Sequence, residues 1–386
     1  MSQQIKNATA MDLIYLVSCA VNELKPSPER CAAMDLEAVL RLAKRHMLTV
    51  VSAFALEKTF PLPVSWKDAK ATAIRRMIIF DSERAKVLRA LDEDGIWYLP
   101  LKGIVLKNCY PKAAMREMSD NDILCDGSRM AQVKKVMLQL GFKRDSFGAA
   151  NHDVYFKNTM YFEMHQSLFF SVMYPALASY YADVFDRLVP DENSQFAYHM
   201  TDEDFYIHIL CHMFKHYDSA GIGLRALLDI YVFNQNRGHL LDRAYISREL
   251  DKLELKTFEE DVRLLAAKTF GMQPLSAEEQ EQLAFFINSN CFGQFSNLLA
   301  KRLENDDSKK AKRKYIFRRI FPDAKYLEIH YPTVYRHRIL YPFCVLFRPF
   351  KGMIKNRKKV FNEYKALKEY HSKDDSALSQ NTFTKE

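Results

Sequence analysis

The spacing of apolar residues changes twice along this chain, and these changes limit the folds that it can adopt. Between residues 10 and 95, apolar side chains such as Ile14 and Val17 recur at helical intervals, with few glycines or prolines between them. Residues 96–165 instead hold short apolar runs separated by turn signals, which is typical of strands. The helical spacing returns over residues 174–299. The predicted fold class is therefore α+β, mostly helical, with one small mixed sheet.

The same changes predict five segments. They are an N-terminal helical region at 1–95, an α/β core at 96–170, a helical domain at 171–300, a basic aromatic segment at 301–371 and a polar, disordered tail at 372–386. The first segment is expected to end in a long helix. The helix is predicted over 68–94, and the core elements are predicted as strands at 96–101, 121–125, 154–157 and 160–165 with a helix at 129–140.

Cysteine usage and hydropathy bear on the compartment. The seven cysteines form no CxxC pair and have no regular spacing, which argues against a disulfide framework or a zinc ribbon. The N-terminus lacks the basic and apolar regions of a signal peptide, and no apolar run approaches the roughly 20 residues that span a bilayer. We therefore expect a cytoplasmic protein without a transmembrane segment.

Basic charge is concentrated near the C-terminus. Residues 301–360 contain 18 Lys/Arg against 5 Asp/Glu, interleaved with aromatic residues. Such a segment is expected to be a helical cap whose aromatic side chains pack inward and which is not the catalytic unit. The alternative is weak contact with a membrane surface or with nucleic acid.

Two carboxylates lie two positions apart at the start of an apolar run, in Ser119-Asp120-Asn121-Asp122-Ile123. On a strand, this spacing directs Asp120 and Asp122 to one face. Magnesium prefers hard oxygen ligands and usually shares them between carboxylates and substrate phosphates. A third carboxylate, Glu163, lies on a later predicted strand. Lys102 and Gly103 form a strand-to-helix turn, a place that favours phosphate.

These features together resemble a known family. The segments LPLKGIVLKNCYP, MREMSDNDILC, NHDVYFKN and YFEMHQSL, followed by HILCHMFKH and LRALLDI, look like the bacterial family of uncharacterised nucleotidyltransferases, within the polymerase-β-like superfamily. The resemblance covers about residues 30–350. It implies a transferase that moves a nucleoside monophosphate from a nucleoside triphosphate (NTP) to a hydroxyl of an unknown acceptor, which is a small molecule, a sugar or a protein.

The resemblance also implies roles for particular residues. Asp120, Asp122 and Glu163 would bind two Mg²⁺ ions, with Glu163 either a ligand of the second ion or the base for the attacking hydroxyl. The phosphate groups would meet Lys102, Gly103 and Arg116. For Arg116 the alternative is a structural salt bridge.

Two positions depart from the superfamily pattern. Ile104 stands where a serine usually follows the turn glycine, and Asn121 stands where an apolar residue usually separates the aspartates, so that the strand start is expected to be more exposed. These departures keep open a catalytically degenerate protein that binds a nucleotide or a partner. A basic nucleic-acid-binding protein with structural aspartates is a further alternative.

Several histidines and one arginine are candidates for the substrate pocket. His208, His212 and His216 recur every four residues and therefore lie near one face of a helix, where they bind metal, line a pocket or simply pack. Arg225 and Asp229 have the spacing of a helix salt bridge. The possible pocket residues are His152, His165, His208, His212 and Arg225.

Overall fold

The computed structural model describes residues 3–146, 151–192 and 194–289, and in the C-terminal part residues 317, 321, 322, 324, 326, 327 and 331–347. The chain separates into two compact units. The first comprises residues 1–215 and 222–291, and the second comprises residues 216–221 and 292–386. The five predicted segments stay a prediction.

The first unit begins with a bundle of helices. They are α1 (Gln3–Val21), α2 (Pro28–Ala32), α3 (Leu36–His46), α4 (Thr49–Leu56) and α5 (Val64–Glu93). Met47 takes a left-handed conformation with φ of 56° and ends α3, so residues 36–56 form two helices. The predicted long helix is confirmed as α5.

Five strands among the described residues form one mixed sheet. They are β1 (Tyr98–Pro100), β2 (Asp120–Cys125), β3 (Lys143–Ser146), β4 (His152–Lys157) and β5 (Met160–His165), in the spatial order β1-β2-β5-β4-β3. Strands β2 and β5 run parallel, and the other neighbouring pairs are antiparallel. Strand β3 was not predicted, because the run Lys-Arg-Asp-Ser has no apolar residue and lies at the sheet edge.

One face of this sheet is buried under helices. Short helix α6 (Gly103–Leu106) follows β1, and α7 (Met130–Gln139) follows β2. Ile123, Phe162 and Met164 pack on that face with side chains of α5 and α7. Because side chains alternate along a strand, Asp120, Asp122 and Glu163 project from the other face.

Asn121 corrects one expectation. Its side chain is fully buried on the helix-covered face, where its Oδ1 accepts a hydrogen bond of 3.0 Å from Arg84 Nη1. The prediction that Asn121 makes the strand start more exposed is therefore wrong. The polar residue is tolerated because an arginine of α5 reaches it.

The rest of the first unit is mainly helical. It contains α8 (Pro175–Tyr180), α9 (Asp202–Tyr217, whose end lies in the second unit), α10 (Leu224–Arg237), α11 (Arg243–Lys252), α12 (Lys256–Phe270) and α13 (Ala277–Asn288), with a small ladder of Val189–Pro190 and Tyr198–His199. The predicted class, α+β and mostly helical, is confirmed.

The second unit is described only in part. Its described residues include α14 (Pro332–Arg336) and a 3₁₀ turn at Arg338–Leu340. Most of the predicted basic cap at 301–360, and the whole predicted tail at 372–386, lie outside the described residues. No helix in the described part of the chain is long and apolar enough to cross a membrane.

Candidate active site

Three carboxylates share the open face of the sheet. Asp122 on β2 lies directly beside Glu163 on β5 in the parallel register, and Asp120 lies beside Tyr161. Residues paired across parallel strands project to the same side, so Asp120, Asp122 and Glu163 converge. Asp122 is buried, whereas Asp120 and Glu163 are half-buried and reachable from solvent.

Lys102 brings a positive charge to these carboxylates. It occupies the turn after β1 with φ of 47° and ψ of −116°, a conformation that is strained for a residue with a side chain. Its Nζ lies 2.7 Å from Asp122 Oδ1, and both side chains are largely buried. Burial would lower the pKa of Lys102, but Asp122 and Glu163 outweigh it and raise the pKa.

Gly103 allows a close approach of Arg116. A Cβ atom at Gly103 would lie 2.9 Å from Arg116 Nη1. Arg116 in turn makes a buried, two-pronged ion pair with Asp229 of α10, with Nε–Oδ1 and Nη2–Oδ2 distances of 2.9 Å each. The structure therefore gives Arg116 the salt bridge that was the alternative to phosphate binding. A role toward phosphate stays a prediction.

The helix salt bridge predicted between Arg225 and Asp229 is wrong. Asp229 accepts from Arg116 and from Tyr110 Oη at 2.7 Å, while Arg225 Nη1 donates to the carbonyl of Glu117 at 3.0 Å. Spacing along one helix permitted the pair, but partners from other elements are better placed. Arg225 thus packs against the segment that leads into β2.

Asn151 holds two histidines in defined orientations. Its Nδ2 donates to the carbonyl of Ser167 at 2.6 Å, which fixes the direction of the amide. The same Nδ2 lies 3.4 Å from His165 Nδ1, so His165 carries its hydrogen on Nε2 and donates to Asp122 Oδ1 at 3.0 Å. His152 Nδ1, 3.3 Å from Asn151 Oδ1, is the donor there. Its Nε2 is left facing Glu163 Oε2 at 3.7 Å.

Protonation of the carboxylates follows from these contacts. Burial would raise the pKa of Asp122, but Lys102 and His165 outweigh it and hold the pKa well below its usual range. Burial and repulsion from Asp122 raise the pKa of Asp120. Burial opposes ionisation of Glu163 as well, yet His165, whose Nε2 lies 3.6 Å from Glu163 Oε2, keeps the pKa of Glu163 low. Three carboxylates therefore share this face, and ionisation of Asp120 is opposed there.

The histidines of α9 have surroundings different from those of His152 and His165. His208 is 1% exposed, its ring contacts Phe169 and Tyr181, and neither ring nitrogen has a hydrogen-bond partner in the described part of the chain. Burial first, and then Lys102, lower its pKa to about 3, so the ring is neutral. His212 is half-buried on the same helix, and His216 belongs to the second unit.

A group of potential metal ligands lies on the carboxylate face and not on α9. Among the described residues, His152, Glu163 and His165 have ligand atoms that all lie within 4.8 Å of one another. His152 and His165 thus belong to the carboxylate face, as predicted pocket residues, whereas the metal alternative for the α9 row gains no support.

Sequence reasoning overlooked two residues at this site. Asn151 was not singled out, because an asparagine before a strand is common and its role depends on two histidines thirteen positions apart. Lys215 was also overlooked. It lies on α9 within electrostatic reach of Lys102, Asp122 and Glu163, and burial, together with the charge of Lys102, lowers its pKa to about 8. Its place in HILCHMFKH was the available signal.

Comparison with known proteins agrees with this geometry. No curated protein and no solved structure matches the sequence significantly. A family model described as uncharacterised nucleotidyltransferase matches residues 32–271, a range that includes the whole sheet and helices α3 to α12. The match spans more than half of the 386 residues and contains every carboxylate discussed above. The chain belongs to the family of uncharacterised nucleotidyltransferases.

Proposed function

We propose that this protein transfers a nucleoside monophosphate from an NTP to a hydroxyl group of an acceptor, with Mg²⁺ held by Asp120, Asp122 and Glu163. The observation that carries this proposal is the convergence of these carboxylates with Lys102 on one open sheet face. The family is named for this class of transfer. The acceptor is a small molecule, a sugar or a protein.

The carboxylates fit magnesium. They offer hard oxygen atoms from two adjacent rigid strands, which is the donor set that Mg²⁺ prefers. Burial, and then the charge of Asp122, raise the pKa of Asp120, and divalent cations would stabilise its ionised form. Two bound ions would supply positive charge to the entering and leaving oxygens of the transfer.

The remaining side chains prepare the site. His165 donates to Asp122 and fixes the orientation of that carboxylate. Lys102 neutralises Asp122 and, with Lys215, offers positive charge to the phosphate groups of the NTP. Glu163 either binds the second ion or accepts the proton of the attacking hydroxyl. Ile104 does not contact phosphate in this proposal, because its side chain packs in the core below the sheet. The two lysines would bind the phosphate groups in its place.

A second candidate function is nucleotide binding without turnover. The buried Ile104 favours it, since the superfamily's usual serine contact with phosphate is missing. Asn121 no longer supports it, because that side chain is buried and bonded to Arg84. Nucleic-acid binding through the basic segment is a further candidate, because residues 301–360 contain 18 Lys/Arg against 5 Asp/Glu.

Labelled nucleotides separate the candidates. The full-length protein is incubated with each NTP carrying a label on the α-phosphate, with Mg²⁺ and a cell extract as the source of acceptor. Transfer predicts a labelled product together with pyrophosphate, lost on Asp120→Asn and kept in Asp145→Asn, which alters an exposed aspartate of β3. Magnesium-dependent binding without any product would favour the second candidate. No binding of any NTP would overturn both.

A further inference from the structure

A cavity lined by aromatic rings adjoins the carboxylate face. It has a volume of about 400 Å³ and lies within the first unit, between the segment that follows β5 and helix α8. We call it the aromatic cavity. Its rings include Trp97, Phe169, Phe170, Tyr181 and Phe185.

The wall of the cavity includes residues that neighbour the candidate site. Leu124 lines it, and this residue follows Asp122 by two positions on the same strand face and is paired with His165. Asn151, which holds His152 and His165, also lines it. A ligand in the cavity would therefore lie next to the groups that hold Asp122 and Glu163.

The position along β2 separates the cavity from the predicted phosphate region. The turn at Lys102 lies at the Asp122 end of β2, since the N–H of Leu101 donates to the carbonyl of Asp122. Trp97 lies at the other end, because its carbonyl accepts from the N–H of Asp126. The carboxylates thus have phosphate-binding groups on one side and aromatic rings on the other.

The lining chemistry selects the ligand. Within the described part of the chain, no charged side chain lines the cavity, and its polar groups are the amides and hydroxyls of Asn151, Gln166, Ser167, Ser171 and Tyr181. Such walls suit an uncharged, planar group with a few hydrogen-bonding atoms, and not a phosphate or a sugar chain rich in hydroxyls.

The rings are also partly open to a ligand. Phe185 is 42% exposed, and its ring lies 4.9 Å from that of half-buried Trp97, in a tilted arrangement. Phe169 and Tyr181, which also line the cavity, stack with a centroid distance of 5.4 Å. Exposed aromatic surface beside a pocket is typical of a binding site.

We propose that the aromatic cavity binds a planar, uncharged ring carried by one of the two substrates of the transfer. The inference rests on the proposed function, since the carboxylates define which molecules reach this place. The ring is either the nucleobase of the NTP or an aromatic group of the acceptor. Both sources share the same chemistry, and the experiment separates them.

The fluorescence of Trp97 provides the test in the full-length protein. The chain has two tryptophans, and Trp66 is fully buried in the helical N-terminal region, so a ligand in the cavity should change the emission of Trp97 alone. The probes are the four nucleosides, ATP, inorganic tripolyphosphate, phenol and benzyl alcohol. Trp97→Phe keeps Trp66 and reveals any change that arises outside the cavity.

Two substitutions on α8 give a matched pair. Ala178→Phe places a ring in the cavity, whereas Ala176→Phe places one on the exposed side of the same helix. We expect Ala178→Phe to weaken, by about tenfold or more, the binding of any probe that changes Trp97 emission in the wild-type protein. Ala176→Phe should leave that binding unchanged.

The outcomes separate the sources. The ring is the nucleobase if nucleosides change Trp97 emission and if Ala178→Phe weakens the binding of ATP but not the binding of tripolyphosphate. If nucleosides are silent and phenol or benzyl alcohol responds, the ring belongs to the acceptor. The proposal fails if no probe changes Trp97 emission, or if Ala178→Phe binds every probe as wild type does. If the wild-type protein does not bind tripolyphosphate in the presence of magnesium, that result would instead count against the proposed function.

Discussion

At the scale of single residues, Asp122 has structural contacts in addition to its proposed role as a metal ligand. If the carboxylate serves only a metal, Asp122→Asn should keep or raise stability without magnesium, whereas the change should lower stability if the carboxylate accepts structural hydrogen bonds. The structure shows such bonds from Lys102 and His165. A melting experiment without metal therefore no longer decides between the two roles.

We predict that Asp122→Asn lowers the free energy of unfolding in the absence of magnesium by about 1–3 kcal/mol. The reason is that the largely buried Lys102 loses its nearest counter-charge. Thermal unfolding with and without Mg²⁺ and ATP measures the effect. The stabilisation by Mg²⁺ and ATP should vanish in the variant, whereas Asp145→Asn should retain it. A variant that still gains stability from Mg²⁺ and ATP contradicts the proposed metal site.

His208 gives a pH-dependent prediction. Its pKa is lowered to about 3 in the folded protein against an ordinary value of 6.5, so the folded state resists protonation. The stability that this neutral histidine permits is complete above pH 6.5 and is lost as the pH falls from 6.5 toward 3. His208→Leu should therefore reduce the loss of stability over that range.

The same substitution should raise stability at pH 7 by about 1 kcal/mol, because it removes buried ring nitrogens without partners in the described part of the chain. Chemical denaturation at a series of pH values measures both effects. His199→Ala, an exposed histidine, is the control. Equal acid sensitivity of His208→Leu and wild type would show that the ring is not held neutral.

At the scale of elements, the ion pair between Arg116 and Asp229 joins α10 to the segment that leads into β2. Asp229 accepts three hydrogen bonds, two from Arg116 and one from Tyr110. The guanidinium also lies against Gly103, so the position of the Lys102 turn depends on a helix more than a hundred residues away.

We predict that Asp229→Ala lowers the free energy of unfolding by about 3–5 kcal/mol, since it leaves a buried arginine without its carboxylate. Urea denaturation measures the change. Asp251→Ala on α11, an exposed aspartate, should cost far less. If Asp229→Ala unfolds no more easily than Asp251→Ala, the pair does not hold α10 in place.

At the scale of the whole molecule, we predict that the proposed transfer does not need the basic segment. The family match ends at residue 271, before the basic segment begins. We predict that replacing Lys355, Arg357, Lys358 and Lys359 by glutamine leaves magnesium-dependent NTP binding within about twofold of wild type. The dissociation constant from calorimetry checks this, with Lys102→Gln as the variant that loses binding. A large loss of NTP binding with an unchanged melting temperature would place the basic segment in the catalytic unit.

The sequence by itself determined the local elements and which carboxylates share one face of the sheet. Helix α5, strand β2 and the turn at Lys102 and Gly103 follow from hydrophobic period, turn residues and acidic spacing, which act over a few positions. Asp120, Asp122 and Glu163 could be named because alternation along a strand directs side chains to a definite face.

Only the tertiary structure decided how distant residues pair. Asp229 is bound by Arg116 and not by Arg225, Asn121 is buried beneath Arg84, and Asn151 sets the orientation of His152 and His165. The edge strand β3 likewise carries no apolar pattern and forms because β4 offers it hydrogen bonds. Each of these outcomes depends on groups brought together by packing, which spacing along the chain does not encode.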